Sequence, residues 1–546
     1  MKTAGATVQE REAALASFIE RHVAEIEPLH LQHNQRMWLA NITGNAEHER
    51  ESARLDAQIR KIYAQAEPYR FLLDLSEGGG VAQPLLKRQL ELLIRSYRGH
   101  QIPAETIERM VEIEKTLESR FNNFRAVLGG ERVGDNRIRQ ILGESVDLAE
   151  RRAAWEASKQ IGGEVAAELI RLVKVRNQAA RDLGFENYYV MMLELDELNE
   201  SELFGLLAEL ERGTDARFES YMMELRGRLA QRFGIAPAAV RPWHMADPFF
   251  QEAPSAGVDL DRHFAGRSLE ELTATFFAAV GLEIRDLLAR ADLYEKPGKS
   301  QHAFCLQVDR GQDIRVLCNL RENEQWMGTM LHEFGHAAYD KYIDPSLPYL
   351  LRGPAHTLTT EASAMLFGRL SKNAAWLERY AGLDAAEARA AGETLGRAIR
   401  DQLLVQTRWC LVMCHMERAL YRDPDRDLDT LWWDLVERLQ KVTRPEGRRA
   451  PDWASKIHFS VAPVYYHNYM LGEMMASQLQ SHILERVLGA ESEPWQRFVS
   501  SPAVGRYLIE RLYRSGRSLD WRDTLRQATG GALSAASFAQ ELSGRA

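Results

Sequence analysis

The chain has 546 residues, 45% hydrophobic and 27% charged, with 69 basic against 78 acidic side chains and a net charge of −9. Its lysines and arginines are dispersed, so no basic stripe is available to neutralise phosphates, and nucleic acid is not an expected partner. Four cysteines in this length make no disulfide framework, and the most apolar stretch, Leu272 to Ile284, falls short of the ~20 residues a bilayer span needs and carries Glu283.

Met1 to Arg21 mixes Glu, Arg and Gln with alanines and lacks the continuous apolar core of an export signal, so a cytoplasmic protein without a membrane partner is expected. No proline occurs between Pro103 and Pro237, and that interval is dense in Ala, Leu, Glu and Arg with apolar residues three and four apart, as in Leu203, Leu206, Leu207 and Leu210. Several long helices are predicted there. A second interval, Pro354 to Pro424, has the same composition and includes the helical run Thr394 to Arg418, in which Cys410 and Cys414 read as buried thiols. Between these intervals, His302 to Val308 and Asp313 to Cys318 read as two short strands around the turn Asp309-Arg310-Gly311-Gln312. No connection is long or biased enough for a flexible interdomain linker, and no repeat is visible. The chain is therefore predicted to be mainly α and a single domain over residues 1–546.

Asn319-Leu320-Arg321-Glu322 approximates a capping box, so a helix is predicted from there through Trp326, Met327, Met330, Leu331, Phe334, Ala337 and Ala338, ending before Asp344-Pro345. Within this apolar run stand His332, Glu333 and His336. Residues four apart share a helix face, which lets the two imidazoles converge on one tetrahedral ion. Glu333, rotated about 100° from His332, can serve as general base toward a water on the metal without being a ligand. Stranding these polar groups in an apolar helix would be costly unless something satisfied them, and a metal would.

A third ligand is required if the fourth position is to stay open. The next predicted helix begins around Thr357 to Thr360, and Glu361 is the only carboxylate between Gly353 and Gly368. His356 and Asp340 are competing candidates, or partners that orient a ligand imidazole. A histidine pair four apart with such a glutamate is the arrangement of metal-assisted amide hydrolysis, which also requires donors for the charge that develops on the carbonyl oxygen. Lys456-Ile457-His458-Phe459 and Val464-Tyr465-Tyr466-His467-Asn468-Tyr469 form a candidate cluster, with Tyr466 and Tyr469 three apart. An aromatic stripe of this kind is more often core or a packing seam than a catalytic wall.

At this point the chain resembles the gluzincin metallopeptidases of the angiotensin-converting enzyme family and, more distantly, the thimet oligopeptidase and oligoendopeptidase family. The likeness runs through Trp38-Leu39-Ala40-Asn41-Ile42-Thr43, Ala154-Trp155, Asn177-Gln178-Ala179-Ala180, Leu183-Gly184-Phe185-Glu186-Asn187-Tyr188 and Trp243-His244-Met245-Ala246-Asp247-Pro248-Phe249-Phe250. It continues through His302-Ala303-Phe304-Cys305 and His332-Glu333-Phe334-Gly335-His336 to Glu361. The resemblance implies one zinc per chain, held by His332, His336 and Glu361, with Glu333 as general base and then acid to the leaving amine. It implies His458 and Tyr469 as oxyanion donors, Lys456 and Tyr466 as the holders of a substrate's C-terminal carboxylate, and the strand beginning at His302-Ala303 as the edge that pairs with the peptide backbone.

The pattern departs from the family in places. One extra residue between His458 and the tyrosines leaves Tyr465 or Tyr466 for the carboxylate. Asn468 stands where chloride-activated members have arginine, and Met365 stands where animal members have an aspartate. The expected architecture is two helical halves around a deep central channel with a small antiparallel sheet at the active site, residues before about 120 forming lid helices and the rest a catalytic body. The expected activity is release of C-terminal dipeptides from short peptides. Internal cleavage of oligopeptides, and hydrolysis of a non-peptide amide by the same machinery, are the alternatives. Oligomeric state is not legible.

Overall fold

Thr7 starts the first helix. Its hydroxyl accepts the Glu10 N–H at 3.2 Å while the Glu10 carboxylate accepts the Thr7 N–H at 2.8 Å, a reciprocal cap for amides that a helix N-terminus leaves open. The helix Val8–Thr43 buries Leu15, Ile19, His22 and Ile26 at helical spacing and stops at Gly44, whose φ of 65° suits glycine. The computed structural model describes residues 7–77, 80–253, 257–489 and 493–544.

The fold is mainly α, and the strands among the described residues form two antiparallel hairpins. One is the hairpin read from the sequence, Phe304–Gln307 paired with Ile314–Leu317, with Cys305 opposite Val316. The other, Ala126–Leu128 with Glu131–Val133, interrupts the first proline-free interval. Its strands are too short to show a period, and Gly129 and Gly130, at φ 61° and 88°, make the turn. No described helix is long and apolar enough to cross a membrane. All four cysteines are free, and Cys410 and Cys414 are buried within the helix Ala385–Arg422.

The chain divides into two units. The first takes the described residues within Met1–Gln101, Gly257–Gly396 and Leu471–Ser534. There the helices Val8–Thr43, Ala46–Tyr63, Ala66–Glu77 and Pro84–Gly99 bury Leu15, Ile26, Ile59, Leu72, Leu75 and Leu93 with Tyr349 and Leu350. The same unit contains the hairpin Phe304–Gln307 with Ile314–Leu317 and the helices Glu324–Lys341 and Thr357–Gly368. Met327, Met330, Leu331 and Phe334 from one, and Leu358, Ala362, Leu366 and Phe367 from the other, are fully buried. Each such side chain contributes about 1.5–3 kcal/mol, which anchors the polar residues between them.

The second unit takes the described residues within Ile102–Ala256, Arg397–Met470 and Ala535–Ala546. Its long helices Gln160–Asp182 and Glu200–Phe233 bury Val165, Leu169, Leu172 and Leu203, Leu207, Leu210, the spacing that the sequence pattern predicts. Arg176 and Tyr421 are buried together there, joined by a 2.9 Å hydrogen bond.

Candidate metal centre

The helix Glu324–Lys341 begins four residues later than the sequence suggests. Asn323 is its cap, with Oδ1 accepting the Trp326 N–H at 2.9 Å, whereas Asn319 donates to the Ser300 carbonyl. That bond pins the first amide through Nδ2, its buried Oδ1 caps nothing, and the second asparagine opens the helix.

Gly335, inside the motif, is where this helix meets Thr357–Gly368. A Cβ there would stand 2.8 Å from the Ala364 Cα and 3.1 Å from the Ser363 carbonyl oxygen. Ser363 Oγ donates to the Gly335 carbonyl at 3.1 Å, and the Ser363 and Tyr513 hydroxyls share a 2.8 Å hydrogen bond. This approach brings Glu361 Oε2 to 3.8 Å from both His332 Nε2 and His336 Nε2. The two imidazoles stand edge to face with centroids 4.9 Å apart.

The 3.8 Å separations are too long for hydrogen bonds. Nor are they ion pairs, because burial lowers His332 to about 4, and burial together with His332 lowers His336 to about 3, so both rings are neutral near pH 7. Burial, with Glu473 nearby, raises the Glu361 carboxyl. What remains is a convergent set of lone pairs. Among the described residues these three form the one group of His, Cys, Asp or Glu side chains able to hold a metal ion, their ligand atoms all within 4.8 Å of one another. Ligands about 2.0–2.1 Å from a tetrahedral zinc lie about 3.3 Å apart, so two imidazoles and a carboxylate at this spacing fit zinc in both chemistry and size. His336 Nδ1 lies 2.7 Å from Thr360 Oγ1. When Nδ1 carries the proton and donates to that hydroxyl, Nε2 presents its lone pair toward Glu361.

Glu333 is 8% exposed, and burial, then Glu361, pushes its carboxyl up to about 8. His356 instead caps the helix Thr357–Gly368, its Nδ1 accepting the Leu358 N–H at 3.0 Å. Asp340 is buried, Oδ1 lacks a hydrogen-bond partner, and burial pushes the carboxyl up to about 7.

His302 and Ala303 immediately precede the strand Phe304–Gln307. Val308 N–H bonds the Asp313 carbonyl, so in antiparallel register Cys305 and Gln307 turn their backbone groups away from the partner strand, as does Ala303 by alternation. Asn34 Nδ2 takes the Val308 and Gln307 carbonyls at 2.9 and 3.4 Å. Ala303 and Cys305 are left along the outer edge.

The remaining candidates belong to the second unit. Lys456 follows the short helix Asp452–Ser455, and His458 opens His458–Val461. The Lys456 ammonium lies 3.2 Å from Gln251 Oε1, 4.8 Å from the Phe249 centroid and 5.1 Å from the Trp409 centroid. It is 9% exposed, and burial lowers it to about 8. Trp409 Nε1 donates to Tyr466 OH at 3.4 Å, so one indole touches both Lys456 and Tyr466. Tyr466 is buried against the His458 ring at 4.9 Å, whereas Tyr465 is 36% exposed and packs on Tyr469. Tyr469 is 36% exposed, 5.8 Å from the Tyr466 ring. Burial, with Lys456, lowers His458 to about 4, and its buried Nδ1 has no hydrogen-bond partner.

Gln251 and Trp409 were not singled out from the sequence, and Phe249 entered only within the family-like run Trp243 to Phe250. Phe249 and Gln251 lie in a Pro- and Gly-bearing segment that reads as a connection, and Trp409 reads as one apolar position of a long helix. Beyond that likeness, the available signal was an Asp-Pro-Phe-Phe-Gln run too hydrophobic for a solvated loop.

Residues 141–544 match the family model described as Peptidase family M3, and residues 9–212 match the model described as angiotensin-converting enzyme. No curated protein matches the chain.

Proposed function

Because the chain belongs to peptidase family M3, we propose that it acts on short peptides and releases dipeptides from their C-termini, with zinc held by His332, His336 and Glu361. Zinc-dependent hydrolysis of peptide bonds follows from membership. The observation that carries the finer reading is Lys456. Its ammonium is buried against two aromatic rings and an amide oxygen, and no described carboxylate lies within 4.0 Å of it. Asp247 and Glu252 act on it only from beyond ion-pair distance and do not offset its burial; a substrate carboxylate would supply a direct partner.

Zinc, when bound, supplies a Lewis acid that polarises the scissile carbonyl and makes water acidic enough to attack near neutral pH. A cation held by the three ligands would favour the ionised form of Glu333, and that carboxylate takes the proton of the attacking water and passes it to the leaving amine. Its burial keeps bulk water from competing for that proton. His458, through Nε2–H, and Tyr469, through its hydroxyl, donate to the tetrahedral oxyanion. The unpartnered Nδ1 of His458 favours the tautomer with its proton on Nε2. Lys456 and Tyr466 hold the C-terminal carboxylate. The outer edge at Ala303 and Cys305 pairs with the substrate backbone, leaving the His302 side chain beside it. Helices before about residue 120 act as a lid that limits substrate length.

Internal cleavage remains a second reading, since the family M3 match spans the motif helix and the Lys456 segment alike and the oligoendopeptidases resemble this chain. Short peptides with free or amidated C-termini, digested with and without chelator and analysed by mass spectrometry, separate the two. Stepwise dipeptides from free-ended peptides alone support the proposal. Equal cleavage of amidated peptides rules out a required carboxylate at Lys456, and no cleavage by zinc-loaded protein removes the reading altogether.

A further inference from the structure

The segment that carries His458, Tyr466 and Tyr469 is held by two buried ionisable side chains that the mechanism above does not use. Arg176, from the helix Gln160–Asp182, donates to the Phe459 carbonyl at 3.0 Å and the Ser460 carbonyl at 2.6 Å, and is itself fixed by Tyr421 OH at 2.9 Å and Glu114 Oε1 at 2.7 Å. Glu417, from Ala385–Arg422, is 2% exposed and accepts the Val464 N–H at 2.8 Å. Val464 has a φ of 57°. A β-branched residue in left-handed backbone is a rare, strained arrangement that persists only where its surroundings impose it. The strain falls two residues before Tyr466, at the point where the chain turns from His458–Val461 into the helix beginning at His467.

We infer that Glu417 is a positioning residue for the reaction: by accepting the Val464 N–H it holds that strained turn, and the turn aims Tyr466 and Tyr469 relative to His458. The inference rests on the proposed roles of those residues. Arg176 fixes the N-terminal side of the same turn through its carbonyls, and Glu417 fixes the C-terminal side through an amide. Burial pushes the Glu417 carboxyl up to about 8, against the Val464 N–H and Arg176, so near neutral pH it acts chiefly as a neutral acceptor. Glutamine offers the same acceptor in the same shape. Methionine offers none.

The test is a cycle read in kcat and KM on a free-ended peptide. Glu417→Met should lose roughly 10–100-fold in kcat/KM, in kcat and KM together because both tyrosines shift, while Glu417→Gln stays within about threefold of wild type. Adding Val464→Gly to Glu417→Met should recover much of the loss, since glycine adopts φ 57° without strain and no longer needs the acceptor to impose it. A merely structural Glu417 predicts no such rescue. If Val464→Gly fails to rescue, or Glu417→Gln is as impaired as Glu417→Met, the positioning role is wrong. Tyr469→Phe is the control for the reading beneath it: unchanged kcat in that variant refutes the donor assignment whatever the cycle shows. Should Glu417→Met not fold, as judged by circular dichroism, Glu417→Asp retracts the acceptor by one methylene and serves the same comparison.

Discussion

Gly335 lies so close to Ala364 that a Cβ on it would come within 2.8 Å of the Ala364 Cα. The helix bearing both candidate histidine ligands and the helix bearing Glu361 are therefore spaced by a hydrogen atom. Gly335→Ala must push the two apart or distort one, at about 1–3 kcal/mol, and it widens the 3.8 Å separations on which the metal centre depends. We expect a lower melting temperature and zinc affinity weakened at least tenfold, measured by competition with a chromophoric chelator. An alanine variant with unchanged zinc affinity would show that the centre does not depend on this contact.

Glu333 stands beside the ligand set without belonging to it. Glu333→Gln should lose about 10²–10⁴-fold in kcat yet keep one zinc per chain by elemental analysis. His336→Ala and Glu361→Gln should lose the metal as well as the activity. Chelation of the wild type should abolish turnover, and stoichiometric zinc should restore it. Loss of zinc from the Glu333 variant would make that residue a ligand.

Lys456 carries its charge only below its pKa, which burial lowers from 10.5 to about 8. A carboxylate ligand needs the charged form. On free-ended peptides kcat/KM should therefore fall as pH rises through about 8, approaching tenfold per unit above it. Lys456→Met should be weak at all pH values and should lose that limb.

Stability should move the opposite way. The folded pKa lies below the unfolded one, so between about pH 8 and 10.5 the unfolded chain binds more protons, and this group's contribution to stability rises with pH. Relative to Lys456→Met, the wild type should carry a penalty of up to about 3 kcal/mol below pH 8 that fades toward pH 10.5. Urea melts of the two proteins across that range check the sign. A constant difference would mean the ammonium is better solvated than its burial implies.

The outer edge of the strand Phe304–Gln307 predicts a backbone effect. Ala303→Pro removes an N–H directed away from the partner strand and should raise KM roughly tenfold while leaving zinc bound. Substrates N-methylated at the paired amide should show the same loss on the wild type and little further loss on the variant. Additive losses would place the substrate backbone elsewhere.

Features that depend on neighbours within one turn of helix were legible in the sequence. His332, Glu333 and His336 are such a case, and Glu361 stood out as the lone carboxylate of an apolar stretch. Asn319 misled because whether an asparagine caps a helix depends on what else takes its side chain, here the Ser300 carbonyl. The hairpin at Ala126–Val133 was illegible because three-residue strands contain no period. The surroundings of Lys456 were illegible for another reason: Gln251 is 205 positions away, and no local pattern announces such a contact. Glu417 read as one more polar residue on a helix, and only the φ of Val464 gives it significance.

The interleaving of the two units has a consequence for biosynthesis. The three candidate metal ligands have all been synthesised once Glu361 has left the ribosome, but the unit that contains them still lacks Leu471–Ser534. That missing stretch includes Gly472, where a Cβ would stand 3.2 Å from Met365 Sδ and 3.4 Å from Glu361 Cβ, and Tyr513, the partner of Ser363. Contacts so distant in sequence form late and slowly. A nascent chain should therefore hold zinc poorly until Leu471–Ser534 has emerged, which delays proteolytic competence until that stretch has joined the unit.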